Sequence, residues 1–222
     1  MVRRWATAGA VLLAACTGDG AGPDTTVALA VSWMEWPAEV SATQPGSIRI
    51  VGYHGICGTL ELDVTQSGPS SVSVEADQRF DNDPPAPCPA VIAILDTVMP
   101  LPRLVTPTGP TGFFSIDAMV VDPLGGTSRR IFGQVQLTDQ APNTALQLGG
   151  RALVKADSLG CSWARSDIPG IAGPYVLSSD LVLDNSQWYS AFISGEFSAA
   201  LTPRCGQDPL LSLRLVEVDA AP

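Results

Sequence analysis

Histidine and lysine are almost missing from this chain: His54 and Lys155 stand alone. A serine or cysteine nucleophile that relies on an imidazole base would therefore have to use His54. That residue lies between Tyr53 and Gly55, just ahead of Cys57, and no Gly-x-Ser-x-Gly elbow occurs anywhere. It reads as a surface histidine in a loop after a strand. His54 and Cys57 make half of a zinc site where four ligands are needed. Met34, Met99 and Met119 read as core filling rather than copper ligands. Asp81-Asn82-Asp83 offers three oxygen side chains, with Asp77 close by, but lacks the glycine and distal glutamate of an EF-hand loop. It runs straight into Pro84-Pro85-Ala86-Pro87, so a rigid exposed loop is expected. No metal, no cofactor and no catalytic residue is assigned.

Positive charge is also short. The chain carries 12 basic against 22 acidic side chains, a net charge of −10. Nucleic acid and anionic headgroups are bound chiefly through Lys and Arg, so nucleic-acid binding is excluded as a function class. Long hydrophobic runs are missing too. The longest, Ala6 to Ala15, is about half of the ~20 residues that span a bilayer as a helix. No stretch shows a sustained helical period, and no Cys-x-x-Cys unit suggests a zinc knuckle or a redox pair. Carboxylate pairs for glycoside hydrolysis are not singled out by anything among 22 acids.

The first residues carry the clearest pattern. Arg3 and Arg4 give a charged start, the apolar run follows, and small residues precede a cysteine. This is the form of an export signal. Leu13-Ala14-Ala15-Cys16 resembles the lipobox of bacterial lipoproteins, a likeness that covers residues 1–16. It implies a signal peptide over residues 1–15 and a diacylglyceryl group on the sulfur of Cys16, which becomes the new N-terminus. Two acyl chains suffice for stable anchoring. In that family the residue after the cysteine sorts the protein, and Thr17 implies the outer membrane. Residues 16–26, poor in apolar side chains, read as a lipidated flexible tether. Without Arg3 and Arg4, 10 basic residues face 22 acidic ones, a net charge of −12.

Removing Cys16 leaves Cys57, Cys88, Cys161 and Cys205, an even set suited to an oxidising compartment. Three pairings are open. Cys57–Cys88 and Cys161–Cys205 is favoured, because those pairs fall on either side of an inferred domain boundary.

The body reads as all-β. Runs at Val27–Trp33, Ser47–Tyr53, Thr59–Gln66, Ser71–Asp77, Val91–Val98, Phe113–Val121 and Arg129–Leu137 are separated by Gly and Pro signals. Leu60, Leu62 and Val64 alternate with Glu61, Asp63 and Thr65, a strand with one wet face. Asp122–Thr127 is a turn cluster that predicts a hairpin. Pro37 with Val40, then Pro45-Gly46, then Ile48 and Ile50 loosely resemble the opening of bacterial immunoglobulin-like envelope domains. The resemblance implies a β-sandwich over residues 27–139. Asp139–Asn143 reads as a linker. Ala152–Asp157, Tyr175–Leu183, Gln187–Ala199 and Leu210–Val218 then suit a small β-barrel domain, OB-like in outline, over residues 140–222. Gly195 is expected at a bulge or bend.

Trp33, Trp36, Trp163, Trp188 and Tyr189 are the aromatic anchors. Trp33 and Trp36 differ by three positions, so a strand would point them to opposite faces. The expectation is a non-catalytic envelope lipoprotein, bound to the membrane by lipid, that binds a protein or polysaccharide. The alternative is a carboxylate-dependent hydrolase of an envelope or environmental polymer.

Overall fold

A computed structural model describes residues 25–29, 31–80, 91–121, 127–156, 162–168, 170, 175–177, 189–197 and 210–218. The expected Asp81–Asp83 loop and residues 1–24 lie outside them. The described strands are β1 (Thr25–Ala28), β2 (Val31–Pro37), β3 (Glu39–Ser41), β4 (Ser47–Gly55), β5 (Thr59–Gly68), β6 (Ser71–Phe80) and β7 (Ile92–Pro100). They continue with β8 (Gly112–Val121), β9 (Thr127–Thr138), β10 (Leu146–Ala156), β11 (Ser162–Ser166), β12 (Tyr175–Leu177), β13 (Tyr189–Phe197) and β14 (Leu210–Val218). The chain is all-β, as its short β-branched runs require.

Two sheets form. One follows the order β1-β6-β8-β9-β3, with β5 also on β6; the other runs β11-β12-β14-β13-β10-β2-β4-β7. Of the first seven strands β1, β3, β5 and β6 lie in one sheet and β2, β4 and β7 in the other; at Pro37 β2 ends and the chain crosses over. β3 then pairs in parallel with β9, and the Ala38 carbonyl accepts from the Gln136 amide at 2.9 Å.

The core lies between the sheets. Met34, Trp36, Ile48 and Ile50 from one meet Val72, Val74, Phe114, Ile116, Phe132 and Val135 from the other. Trp36 crosses the gap and donates from Nε1 to the Gln134 carbonyl at 3.0 Å, so its one polar atom is satisfied inside. Gly133 makes room for it: a Cβ there would stand 2.6 Å from the indole. Phe132 meets Phe192 edge to face with centroids 4.9 Å apart, and the Arg130 guanidinium lies 5.2 Å over the Phe192 ring. The alternation read in β5 holds, with Leu60 and Leu62 packed on the core while Glu61 and Asp63 are exposed. The hairpin around residues 122–126 also forms, as β8 and β9 pair antiparallel.

The separation into two domains at residue 139 does not survive. β10 pairs with β2 from Leu146 to Gly150, so the strands after residue 140 extend the sheet begun by β2, β4 and β7. The supposed linker is tied down: Asn143 donates its amide to Glu39, and Ala145 donates to the Asn143 side chain. β10 is long enough to serve two partners along one edge, β2 first and then β11 over Ala152–Ala156. Gly150 sits at the change-over with φ of +148°, where a Cβ would collide with the Ser32 carbonyl and the Trp33 backbone.

Beyond that point β11 pairs β12, β12 pairs β14 in parallel, β14 pairs β13, and β13 returns to β10. These five strands form a ring of pairings with the outline of a small barrel-like unit. The barrel expected as a separate domain is nonetheless corrected: the ring shares β10 with the larger sheet, and neither sheet taken whole is closed. The irregularity expected at Gly195 lies between Phe192 and Ile193 instead, and Gly195 itself pairs regularly with Leu213.

Candidate functional site

The sheet of β2, β4 and β7 has a second face, turned away from the core. Residues paired across antiparallel strands share a face. Trp33 opposes Val51, Val51 opposes Asp96, Tyr53 opposes Ile94, and Arg49 opposes both Glu35 and Val98. This face therefore carries Trp33 and Glu35 from β2, Arg49, Val51 and Tyr53 from β4, and Ile92, Ile94, Asp96 and Val98 from β7.

Its charges are closed on themselves. Arg49 donates from Nε and Nη2 to the two Asp96 oxygens at 2.8 and 2.9 Å, a bidentate fork. Its Nη1 reaches Glu35 at 3.3 Å, and Glu35 accepts from Trp33 Nε1 at 3.1 Å. The Arg49 hydrogen bond holds the Asp96 carboxyl below its usual range, and Asp96 in turn holds the guanidinium more firmly protonated. Around this ion-paired network the β7 side chains stand out of the surface: Ile92 is 51 %, Ile94 46 % and Val98 62 % exposed. Ile56 and Val91 continue the apolar strip at one end, where the Ile56 amide donates to the Val91 carbonyl.

Asp167 lies beside Arg151, 3.9 Å from its guanidinium, with one carboxylate oxygen buried and unpartnered. Burial pushes its carboxyl up to about 6, against which Arg151 and the backbone amides of Asp167 and Ile168 act. Burial also raises the Tyr53 phenol, with the Asp167 charge adding to the effect. Asp167 is the most perturbed acid described, yet its close charged neighbour is a cation rather than a second carboxylate.

The outer face of the other sheet is acidic. Glu61 opposes Asp77, Asp63 opposes Glu75, and Asp117 lies level with Ser73 on the next strand. Arg129 reaches Asp117 at 3.1 Å and Glu75 at 3.6 Å. Burial raises the carboxyls of both Asp77 and Asp117; Glu75 and Glu61 add to the shift at Asp77, while Arg129 opposes it at Asp117. Among the described residues no group of three His, Cys, Asp or Glu is arranged to hold a metal ion.

His54 belongs to β4 itself rather than to a following loop, because that strand continues to Gly55. Its Nδ1 donates to the Gly55 carbonyl at 2.6 Å, and the ring is half-buried. Cys57 is disulfide-bonded; Cys16, Cys88, Cys161 and Cys205 lie outside the described residues. The turn around Cys57 is held by a residue that sequence reasoning passed over. Gln78 is buried in the adjoining sheet, accepts from the Gly55 amide at 3.0 Å, and donates to the carbonyls of Gly55 and Cys57. Trp33 and Trp36 do point to opposite faces, but both are fully buried, and Trp163 is half-buried. Trp188 lies outside the described residues, as does the Tyr189 side chain.

A cleft of about 100 Å³ lined by Val40, Pro45, Leu101, Leu104 and Leu137 opens at one end of the sandwich. Small-molecule sites usually enclose roughly 300 Å³ or more, so this cleft is too small for one. No known family model matches the chain, and no curated protein or solved structure shows significant similarity to it.

Proposed function

We propose that the chain is a non-catalytic module of the bacterial cell envelope, lipidated on Cys16 and displayed at the membrane, that works by binding a protein or polysaccharide through a face of its sandwich. The observation that carries this reading is the apolar strip on β7 beside a network of ion-paired side chains. Exposed, contiguous apolar surface on a rigid body is what association surfaces use. The lipobox-like start supplies the address, and residues 16–24, ahead of β1, are long enough to hold the body clear of the headgroups, since nine extended residues reach about 30 Å.

Two disulfides suit that compartment. Cys57–Cys88 is supported by the Ile56–Val91 hydrogen bond, which brings Cys57 beside the chain three residues from Cys88. For Cys161–Cys205, Ser162 opposes Leu177, Leu177 opposes Leu211, and Leu211 opposes Phe197. Residue 162 thus stands level with both ends of the connection that holds Cys205. Non-reducing peptide mapping should recover these two pairs, and a Cys57–Cys161 peptide would refute them.

The anchor is tested by Cys16→Ala in the full chain. Expected is release from the membrane fraction with the body still folded; a variant that stayed membrane-bound would remove the lipid from the proposal. Function is tested by exposing the full chain to envelope polysaccharides, peptidoglycan fragments and envelope proteins, with binding and bond cleavage scored together. Binding without cleavage is expected. Cleavage would replace this reading with the carboxylate-dependent hydrolase.

A further inference from the structure

Sheet edges are templates for pairing, and natural proteins shorten them, charge them or cover them. Among the described strands β1 and β3 are short, with four and three residues. β5, ten residues long, carries Glu61 and Asp63 exposed along it. β7 has neither protection. It runs for nine residues, pairs only with β4 among the described strands, and keeps register from Gly55–Ile92 to Ser47–Pro100 without a bulge. Its single charge, Asp96, is spent on Arg49.

From this we infer that β7 is the self-association edge of the protein: a second copy of the chain pairs antiparallel with it, β7 to β7, and joins the two large sheets into one. The inference rests on the reading of the β7 strip as an association surface, and names its occupant. Charge selects a second copy. The chain carries a net charge of −10 and its acids crowd the outer face of β5 and β6, so two copies meeting there would repel, whereas the one carboxylate of β7 is ion-paired with Arg49 of its own copy. The side chains are self-complementary as well. About a two-fold axis at Leu95, Ile92 faces Val98 of the second copy in both halves, and Asp96 faces Ile94 rather than another Asp96. A two-fold contact of this kind closes at a dimer, with the same patch used on both sides.

Sedimentation equilibrium of the full chain in density-matched detergent, over a range of concentrations, tests the inference. A species of twice the monomer mass is expected. Ile92→Lys with Val98→Lys should raise its dissociation constant by at least about tenfold, since the two new ammonium groups then face each other across the seam in both halves. Thr65→Lys, on the exposed face of β5, should leave it unchanged. Both sites point to water, so the circular dichroism of the variants should match the parent. Hydrogen exchange on the unmutated chain gives an independent reading, with β7 amides gaining protection as concentration rises while β5 amides do not. A monomer at every concentration would overturn the inference, and so would a dimer indifferent to the β7 lysines. A monomer that still binds an envelope component would leave the display reading standing without its dimer.

Discussion

The outer faces of the two sheets solve the same problem in opposite ways. On the sheet of β5, β6 and β8, Glu61, Asp63, Glu75, Asp77 and Asp117 crowd together with Arg129 reaching two of them, and the carboxyls of Asp77 and Asp117 are raised. Phe113 and Ile131 are exposed there too, opposite Gln136 and Asp117, but as single side chains among the acids rather than as a row along one strand. On the sheet of β2, β4 and β7, one arginine is shared by two acids, and the apolar side chains of β7 stand free beside it. The difference teaches that net charge does not decide which surface can associate. What matters is whether the charges on a face crowd together and repel, or are ion-paired and leave apolar area to be covered.

Both faces depend on one shared core, and the largest effect should come from breaking it. Phe132→Ala removes the ring that meets Phe192 across the sheets and should cost about 3–5 kcal/mol. Urea unfolding should show a single transition, because the Phe192 strand and the Phe132 strand belong to one core. Two transitions, with only the earlier one displaced, would restore a two-domain body.

Next comes Asp167, beside the apolar face. Its folded carboxyl lies near 6 against an ordinary 3.8, so the folded state holds its proton more tightly than the unfolded chain. The group therefore favours folding at low pH, and that contribution is lost as pH rises from about 4 to about 6. A quarter of the side chain reaches water, with a relative exposure of 26 %. The penalty above pH 6 is accordingly about 2 kcal/mol, somewhat less than the full shift would give. Asp167→Asn should raise thermal stability at pH 7.5 and flatten its slope between pH 4 and pH 6. An unchanged slope would remove the buried acid from the account.

Asp96→Asn should cost less, within about 1 kcal/mol, since the Arg49 fork is partly exposed. Its use is to sharpen the contrast: the loss should shrink further in high salt. The smallest effect is expected on the acidic face. Asp77→Asn relieves the repulsion from Glu75 and Glu61 and should stabilise the protein by about 0.5 kcal/mol at neutral pH. Destabilisation by that change would mean the acids of this face hold something in place.

Much of the fold was readable from local pattern. Leu60, Leu62 and Val64 against Glu61, Asp63 and Thr65 marked the wet face of β5, and the cluster from Asp122 to Thr127 marked the β8–β9 hairpin. Both signals lie within a dozen residues. β3 escaped notice because three residues make no period, and its ladder partner among the described strands is β9, almost a hundred positions away. The boundary at residue 139 was misread for a similar reason. Asp139–Asn143 has the composition of a linker, and nothing nearby reveals that Leu146–Gly150 will hydrogen-bond to β2. The β7 face was unreadable in the same sense. Ile92, Ile94 and Val98 look like core residues in a list, and Arg49 meets Asp96 only because β4 and β7 come together.

The sequence by itself determined that this chain would build sheets: short β-branched runs broken by Gly and Pro favour paired strands over helices, and alternation at period two decides which side chains share a face. Only the tertiary structure decided which face of each strand was covered, where β10 changed partners, and which edge was left open. Those choices depend on pairings between residues far apart in the chain, and pairing is settled by the joint fit of the two sheets around Trp36, Phe132 and Phe192.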